Sequence, residues 1–242
     1  MESTLANTID RTHSPAAWLK SHYQQVWWIT CLLCFWPAVA LLYALLTNQL
    51  SENPLQAMQQ ISGQWALNFL IITLTITPLR RWLSKTCQRA HALYGKRLAD
   101  WNWIIRLRRM LGMFCFFYAA LHLGIWLHFD LGYDWQWLIE DMLEKPYLLL
   151  GLFAFVLLLP MAATSTDKAM RLLGRNWRKL HRLIYVIAIA VIAHYWLGVK
   201  PGIDTPWFYS VLIFFLLAYR LVSRFGWLVT KPADDGMEVT ER

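Results

Sequence analysis

Residues 107–128 read LRRMLGMFCFFYAALHLGIWLH. Two arginines stand at the start, and after Arg109 no Asp, Glu, Lys or Arg occurs before Asp130. At a helical rise of 1.5 Å the segment is about 33 Å long, the thickness of a bilayer's hydrocarbon core. It therefore reads as a membrane-spanning helix, and it carries one imidazole, His122, far from either end. Ionisable groups inside a span are costly and are functional by default.

Five further apolar stretches accompany this third one. They run over 27–47, 65–79 (short, and expected to end at Thr77-Pro78), 147–163, 183–199 and 207–225. The reading is an all-α membrane protein, a bundle of six transmembrane helices over residues 26–228. A polar N-terminal tail (1–25) and a polar C-terminal tail (229–242) flank it. The tail that holds Arg11, His13, Pro15 and Lys20 is no signal peptide, because the first apolar run follows it and exceeds a signal's apolar core. Composition agrees. Of 242 residues, 57% are hydrophobic and 16% charged, against about 25% charged in a soluble domain. Fifteen tryptophans suit the interfacial belts of a membrane protein.

The net charge of +8 is unevenly placed, and the placement argues for topology rather than for nucleic acid. Between the second and third stretches lie Arg80, Arg81, Lys85, Arg89, Lys96, Arg97, Arg106, Arg108 and Arg109 against Asp100 alone. Between the fourth and fifth lie Lys168, Arg171, Arg175, Arg178, Lys179 and Arg182 against Asp167. Between the third and fourth the sign inverts, with Asp130, Asp134, Glu140, Asp141 and Glu144 against Lys145. The positive-inside rule places both basic connections and both termini in the cytoplasm and the acidic loop outside. The basic connections are most simply topology signals; gripping anionic lipid is a second role open to them.

Span five carries His194 as span three carries His122. Measured from the cytoplasmic entry of each helix, both lie about 20 Å along. Matched depth on two helices suits a haem held by two axial imidazoles. Nearer the cytoplasm, His181 precedes His194 by 13 residues, and Arg108 precedes His122 by 14. An offset of 14 returns almost to the same helix face, whereas 13 misses by about 140°. His181 therefore needs a kink or π-bulge to share a cavity with His194. Guanidinium has no lone pair for iron. Arg108 instead suits an anionic group: a haem propionate, a flavin phosphate or a quinone oxygen. One haem is favoured over two, with His181 open between iron ligand, site residue and interfacial histidine. His13, His22, His91 and His128 read as surface or interfacial.

Other motifs carry less. Cys31 and Cys34 form a CxxC followed by Phe35, so it is no haem-attachment site, and its apolar helical setting is wrong for thioredoxin chemistry. Four cysteines make no disulfide framework in a chain this long. Phe114, Phe116, Phe117 and Tyr118 read as packing. No internal repeat is evident. GxGxxG and GxxxxGK[ST] are absent, so nothing in the chain is set up to bind a dinucleotide or hydrolyse ATP. No carboxylate lies deep in a span, which weighs against a proton-coupled transporter.

The stretches RRMLGMFCFFYAALHL (108–123), TSTDKAMRLLGRNWRKLHRLIYVIAIAVIAHY (164–195), ALNFLIITLTITPLR (66–80) and KPYLLLGL (145–152) resemble the MsrQ (YedZ) family. That family lies within the ferric-reductase-like transmembrane superfamily. The resemblance runs from about Pro54 to Phe225, so the N-terminal 25 or so residues lie outside it. It implies a haem b subunit of a methionine sulfoxide reductase system in the bacterial inner membrane. Such a subunit takes electrons from the quinone pool and passes them to MsrP, a periplasmic molybdopterin enzyme. It also implies FMN, and it places the family's histidines on His122, His181 and His194 and its arginine on Arg108. Superfamily oxidases carry two histidines on each of two helices; here Arg108 stands where the fourth would be. Two rival readings remain: a stand-alone quinol-driven reductase of ferric chelates, and a metal or haem transporter or sensor.

Overall fold

A computed structural model describes residues 15–50, 52–91, 95–132, 134–199 and 205–229. These residues are helical apart from short connections: α1 (Pro15–Ser21), α2 (Tyr23–Leu46), α3 (Pro54–Arg89), α4 (Asn102–Ile125), α5 (Trp135–Glu144), α6 (Pro146–Ala163), α7 (Asp167–Leu173), α8 (Arg175–Leu180), α9 (Leu183–Gly198) and α10 (Thr205–Val229). Arg11, His13 and nearly all of the expected C-terminal tail lie outside the described residues.

Among the described residues, five helical segments are long and apolar enough to cross a membrane: Tyr23–Leu46, Leu98–Phe129, Pro146–Ala163, Arg175–Gly198 and Pro206–Ser223. They correspond to five of the six stretches read from the sequence. The remaining stretch, 65–79, lies within the 36-residue α3, where Gln59, Gln60, Gln64 and Asn68 dilute its apolar character. Two boundaries differ from expectation. The second stretch is expected from residue 65, whereas α3 already starts at Pro54; the Asn53 side chain caps it, accepting from Gln56 N at 3.2 Å, and proline suits the first helical position. Nor does the helix end at Thr77-Pro78. It runs through Pro78 to Arg89.

A proline inside a helix leaves the carbonyl four residues earlier without its donor. For Pro78 that carbonyl is Leu74 O, and Arg220 Nη2 of α10 donates to it at 2.8 Å. The broken helix is thus repaired from a neighbour. At Pro37 in α2 a related repair operates. Tyr118 of α4, 1% exposed, accepts from Ala38 N at 3.0 Å and donates to Cys34 O at 2.8 Å. An unbroken helix pairs those two backbone groups with each other. Tyr118, read from sequence as packing alone, pins α2 to α4.

Two helix pairs make up the bundle's centre, α3 with α4 and α6 with α9, and α4 packs on α6 between them; α10 lies against α3 and α9. Leu70, Leu74, Leu111, Phe114 and Tyr118 fill the first pair, and Ala154, Leu158, Ile187 and Ala188 the second. Small residues let α6 and α9 approach closely. The outward faces are apolar too: Leu32, Trp36 and Phe214 are each about two-thirds exposed. Such a surface is unfavourable in water and matched to lipid. All four cysteines are free, and Cys34 and Cys115 are buried in the core, as their apolar settings suggested.

The connections are ordered against the helix ends. Ser84 Oγ and Gln88 Nε2 both donate to Lys96 O, at 2.7 and 2.8 Å, folding the basic connection back onto α3. Thr166 caps α7, and Asp167 pairs with Arg109 of α4. The guanidinium holds the Asp167 carboxyl below the usual carboxylate range. That pair is therefore intact above the ordinary carboxylate pKa and is lost as pH falls through the depressed value. Asp167 is exposed, so its contribution is small.

Tyr118→Phe removes both bonds at the Pro37 break and leaves a buried N–H and C=O without a partner, costing about 1–3 kcal/mol. The expected outcome is a lower thermal midpoint in detergent, with the helical circular dichroism unchanged before melting. An unchanged midpoint would show that the hydroxyl is not holding α2.

Candidate metal centre

His122 and His194 are brought together at the α4–α9 side of the bundle. Their ring centroids are 6.3 Å apart and their planes 83° apart. His122 Nδ1 lies 3.0 Å from Gln59 O, and His194 Nδ1 lies 2.7 Å from Tyr147 O. A carbonyl only accepts, so each Nδ1 carries the proton and donates. In the neutral ring that leaves the lone pair on Nε2. Both imidazoles are thereby fixed as the tautomer that ligates a metal through Nε2.

Each tether uses the same local device. The acceptor is a carbonyl in the first turns of a helix that starts at a proline: Gln59 on α3, Tyr147 on α6. Four residues on stands a glycine, Gly63 or Gly151. A side chain at i+4 normally covers the carbonyl of residue i, which is why Ser and Thr there bond back to it. Glycine leaves that carbonyl open to the incoming ring. The space is fully used. A Cβ on Gly63 would stand 3.0 Å from His122 Nδ1, and one on Gly151 would stand 2.8 Å from His194 Nδ1. The sequence shows no repeat, yet the two helix pairs repeat the motif of carbonyl, glycine and facing histidine.

The separation can be tested against a metal. Two imidazoles bound on opposite sides, with metal–nitrogen bonds of 2.0–2.1 Å, put their ring centres about 6.3 Å apart. The pair meets that distance without rearrangement. Among the described residues no three His, Cys, Asp or Glu side chains converge as a metal site. Two axial imidazoles therefore suit a metal whose remaining positions come from a planar macrocycle, the donor set of a six-coordinate haem.

His181 and Arg108 lie at the other end of these helices, about 20 Å from the pair along the helix axis. The chain breaks at His181–Arg182, between α8 and α9, where bonds such as Arg182 N to Lys179 O span three residues. The expected discontinuity is there, yet it does not carry His181 to His194. The His181 ring stacks on Trp177 at 3.9 Å, and its Nδ1 lies 3.1 Å from Trp177 O. Arg108 is within electrostatic reach of His181, Tyr185 and Arg220. Arg220 donates to Tyr185 Oη at 3.2 Å as well as to Leu74 O, while its buried Nε has no partner. Among the described residues no carboxylate pairs with either guanidinium.

Sequence reasoning had missed Arg220, although it is the only charged residue between 207 and 223, the same signal that exposed His122. Gly63 and Gly151 were missed as well; a lone glycine inside an apolar helical pattern was the available sign. His91 is exposed, as expected, His22 is half-buried with its ring stacked on Trp18 at 4.4 Å, and His128 is exposed on the π-helical turn Trp126–Asp130, with its ring against Phe129.

Residues 62–192, more than half of the chain and including His122 and the tether glycines Gly63 and Gly151, match the ferric reductase like transmembrane component family. The chain is 43% identical over 180 residues to the protein-methionine-sulfoxide reductase heme-binding subunit MsrQ of Herminiimonas arsenicoxydans, covering 73% of this chain and 75% of that one. MsrQ of Azospira oryzae is 36% identical over 195 residues (80% and 77%), and that of Xanthomonas euvesicatoria 40% over 175 (72% and 73%). The chain belongs to the MsrQ family. No solved structure matches it.

Replacing either glycine tests the tethers. Gly151→Ala and Gly63→Ala are expected to push the imidazole off its carbonyl and weaken haem retention by about 10–100-fold, the usual cost of losing a ligand's outer partner. Gly112→Ala, which meets nothing within 4 Å, is the control. Haem per chain after purification is the readout, and equal loadings in all three variants would show that the tethers do not govern binding.

Proposed function

We propose that this protein is the haem b electron-transfer subunit of a bacterial methionine sulfoxide reductase system, with His122 and His194 as the axial ligands. The observation that carries the reading is the imidazole pair, tethered through Nδ1 and spaced for one metal between two Nε2 atoms. Haem, held by His122 and His194, would supply one-electron cycling. The chain's own part is to hold both rings in one tautomer, to fix their separation and to keep water from them within an apolar bundle.

The charge pattern supports the finer reading. Six helices cross the inner membrane, α3 among them, with both termini and the basic connections cytoplasmic and the histidine pair toward the periplasm. Electrons come from the quinone pool and leave to a periplasmic MsrP-like molybdopterin enzyme, which carries out the sulfoxide chemistry as the other half of a heterodimer. At the cytoplasmic end, Arg108, Arg220 and His181 are suited to an anionic group such as a haem propionate or an FMN phosphate. Two guanidiniums with no paired carboxylate among the described residues favour an anion there.

The test is a dithionite-reduced minus oxidised spectrum with haem quantified per chain. A sharp low-spin b-type spectrum is expected in the wild type and is lost in His122→Ala and in His194→Ala. His181→Ala should leave it in place. A membrane-folded protein without haem removes the electron-transfer reading and leaves the transporter or sensor. Reduction of ferric chelates without a partner would instead favour the stand-alone reductase.

The acidic connection is the proposed dock for the periplasmic partner. Asp134 and Glu140 are exposed, whereas Asp141 pairs with Lys145 at 3.0 Å, which raises the lysine's pKa. Neutralising Asp130, Asp134, Glu140 and Asp141 together is expected to slow electron delivery to the partner and flatten its salt dependence, because rim charges act chiefly on association rate. Unchanged rate and salt slope would exclude the docking role.

A further inference from the structure

A cavity of about 690 Å³ opens between α2 and α4, on the side of α4 turned away from His122. Its walls are aromatic, formed by Trp27, Phe35, Phe114 and Phe117, and polar groups stand at one end only: Tyr23, Arg106, Arg109 and Asp167. We infer that this cavity binds an isoprenoid hydroquinone, its ring between the aromatic walls and its hydroxyls at the Arg109–Asp167 rim. The inference rests on the quinol-donor reading above and gives that donor a place.

Four observations favour this occupant. The size suits one small molecule, and pockets of a few hundred Å³ with few polar groups are the usual form of such sites. Flat aromatic walls match a flat ring. Phe35, Met113 and Phe117 are exposed toward the lipid, leaving a side entrance for an apolar tail. The rim offers donors and an acceptor together. Arg109 is already neutralised by Asp167, and Arg106 lies over the Tyr23 ring at 5.4 Å. A neutral head that both donates and accepts is therefore better matched than a phosphate, which the Asp167 carboxylate would repel.

Packed rings lead from the cavity wall into the α3–α4 core. Phe35 contacts Phe114 at 4.8 Å, Phe114 stacks on Phe69 at 5.7 Å, and Phe69 packs on Trp65 at 5.9 Å. Along α4, Met113 precedes His122 by nine residues, about 13.5 Å. Oxidation of one hydroquinone to the quinone breaks two O–H bonds and releases two electrons and two protons. A single haem would take one of these electrons at a time, so the periplasmic partner would have to accept the first before the second is passed. In the isolated chain one hydroquinone would reduce the haems of two chains. The two protons leave to water at the exposed Arg109–Asp167 rim.

The experiment uses the full haem-loaded chain in phosphatidylcholine nanodiscs, with a short-tailed benzoquinol as probe and stopped-flow haem reduction as one readout. Quenching of tryptophan fluorescence by the oxidised quinone in haem-free protein is the second. Met113→Trp, which fills the cavity, and Arg109→Gln, which strips the rim, are expected to raise the half-saturating quinol at least tenfold. Haem content and reduction by dithionite should be unchanged in both. Trp27→Phe should remove part of the quenching. If the quinol reduces the wild type and both variants alike, the donor reading stands and this site is wrong. If it neither reduces nor quenches the wild type, both fall. Displacement of the quinone by phosphatidylglycerol would mark a phospholipid site and overturn the assignment.

Discussion

An imidazole inside an apolar bundle has two ring nitrogens to satisfy, and a ring left free to turn can offer either one to a metal. Both histidines settle the matter by donating Nδ1–H to a backbone carbonyl, His122 to Gln59 and His194 to Tyr147. Much else follows from those two bonds. The carbonyl must be uncovered, which requires glycine at 63 and 151. The helix bearing the carbonyl must lie within about 3 Å of the ring that faces it, so α3 must pair closely with α4 and α6 with α9. Small residues along α6 and α9 allow that approach, and the pairing of the hairpins through α4 and α6 then sets the 6.3 Å between ring centroids.

Close pairing has a cost where helices break, because an unpaired backbone group in lipid costs several kcal/mol. Pro37 and Pro78 both open helix hydrogen bonds, and neither is exposed to water that might replace them. Tyr118 supplies both missing partners at the first and Arg220 supplies a donor at the second. These repairs tie α2 and α10, the outer helices, to the α3–α4 pair that holds His122. The polar side chains inside the bundle thus serve assembly as much as chemistry, and Arg220 serves both: it mends α3 and also stands beside Arg108.

How much was legible in the sequence depends on whether a feature leaves a mark in one dimension. Apolar length does, and five of the expected stretches appear as helices with ends shifted by only a few residues. Depth does as well: counting along each helix placed His122 and His194 level before their contact was seen. The polar start of α3 misled, since the second stretch reads from residue 65, although Gln59, Gln60 and Gln64 belong to a helix whose carbonyl must reach a histidine. Pro78 misled in the same way, because a proline reads as an end unless its repair is known, and the repair comes from Arg220, more than a hundred residues away. The glycines were invisible as site residues because their function is an absent side chain, meaningful only once the facing ring is placed.

The two ends of the bundle show why the site is not duplicated. On α4 the 14-residue interval keeps Arg108 on the face of His122, and α4 is continuous between them. The other helix is interrupted at His181–Arg182, so its register restarts at Leu183 and His181 stacks on Trp177 instead of extending the face of His194. What gathers at this end is one imidazole and two guanidiniums, with Tyr185 between. Guanidinium cannot ligate a metal, but a half-buried pair of cations favours an anion. The histidine end fits a metal and the arginine end fits negative charge, so within one bundle the same helices present two chemistries about 20 Å apart.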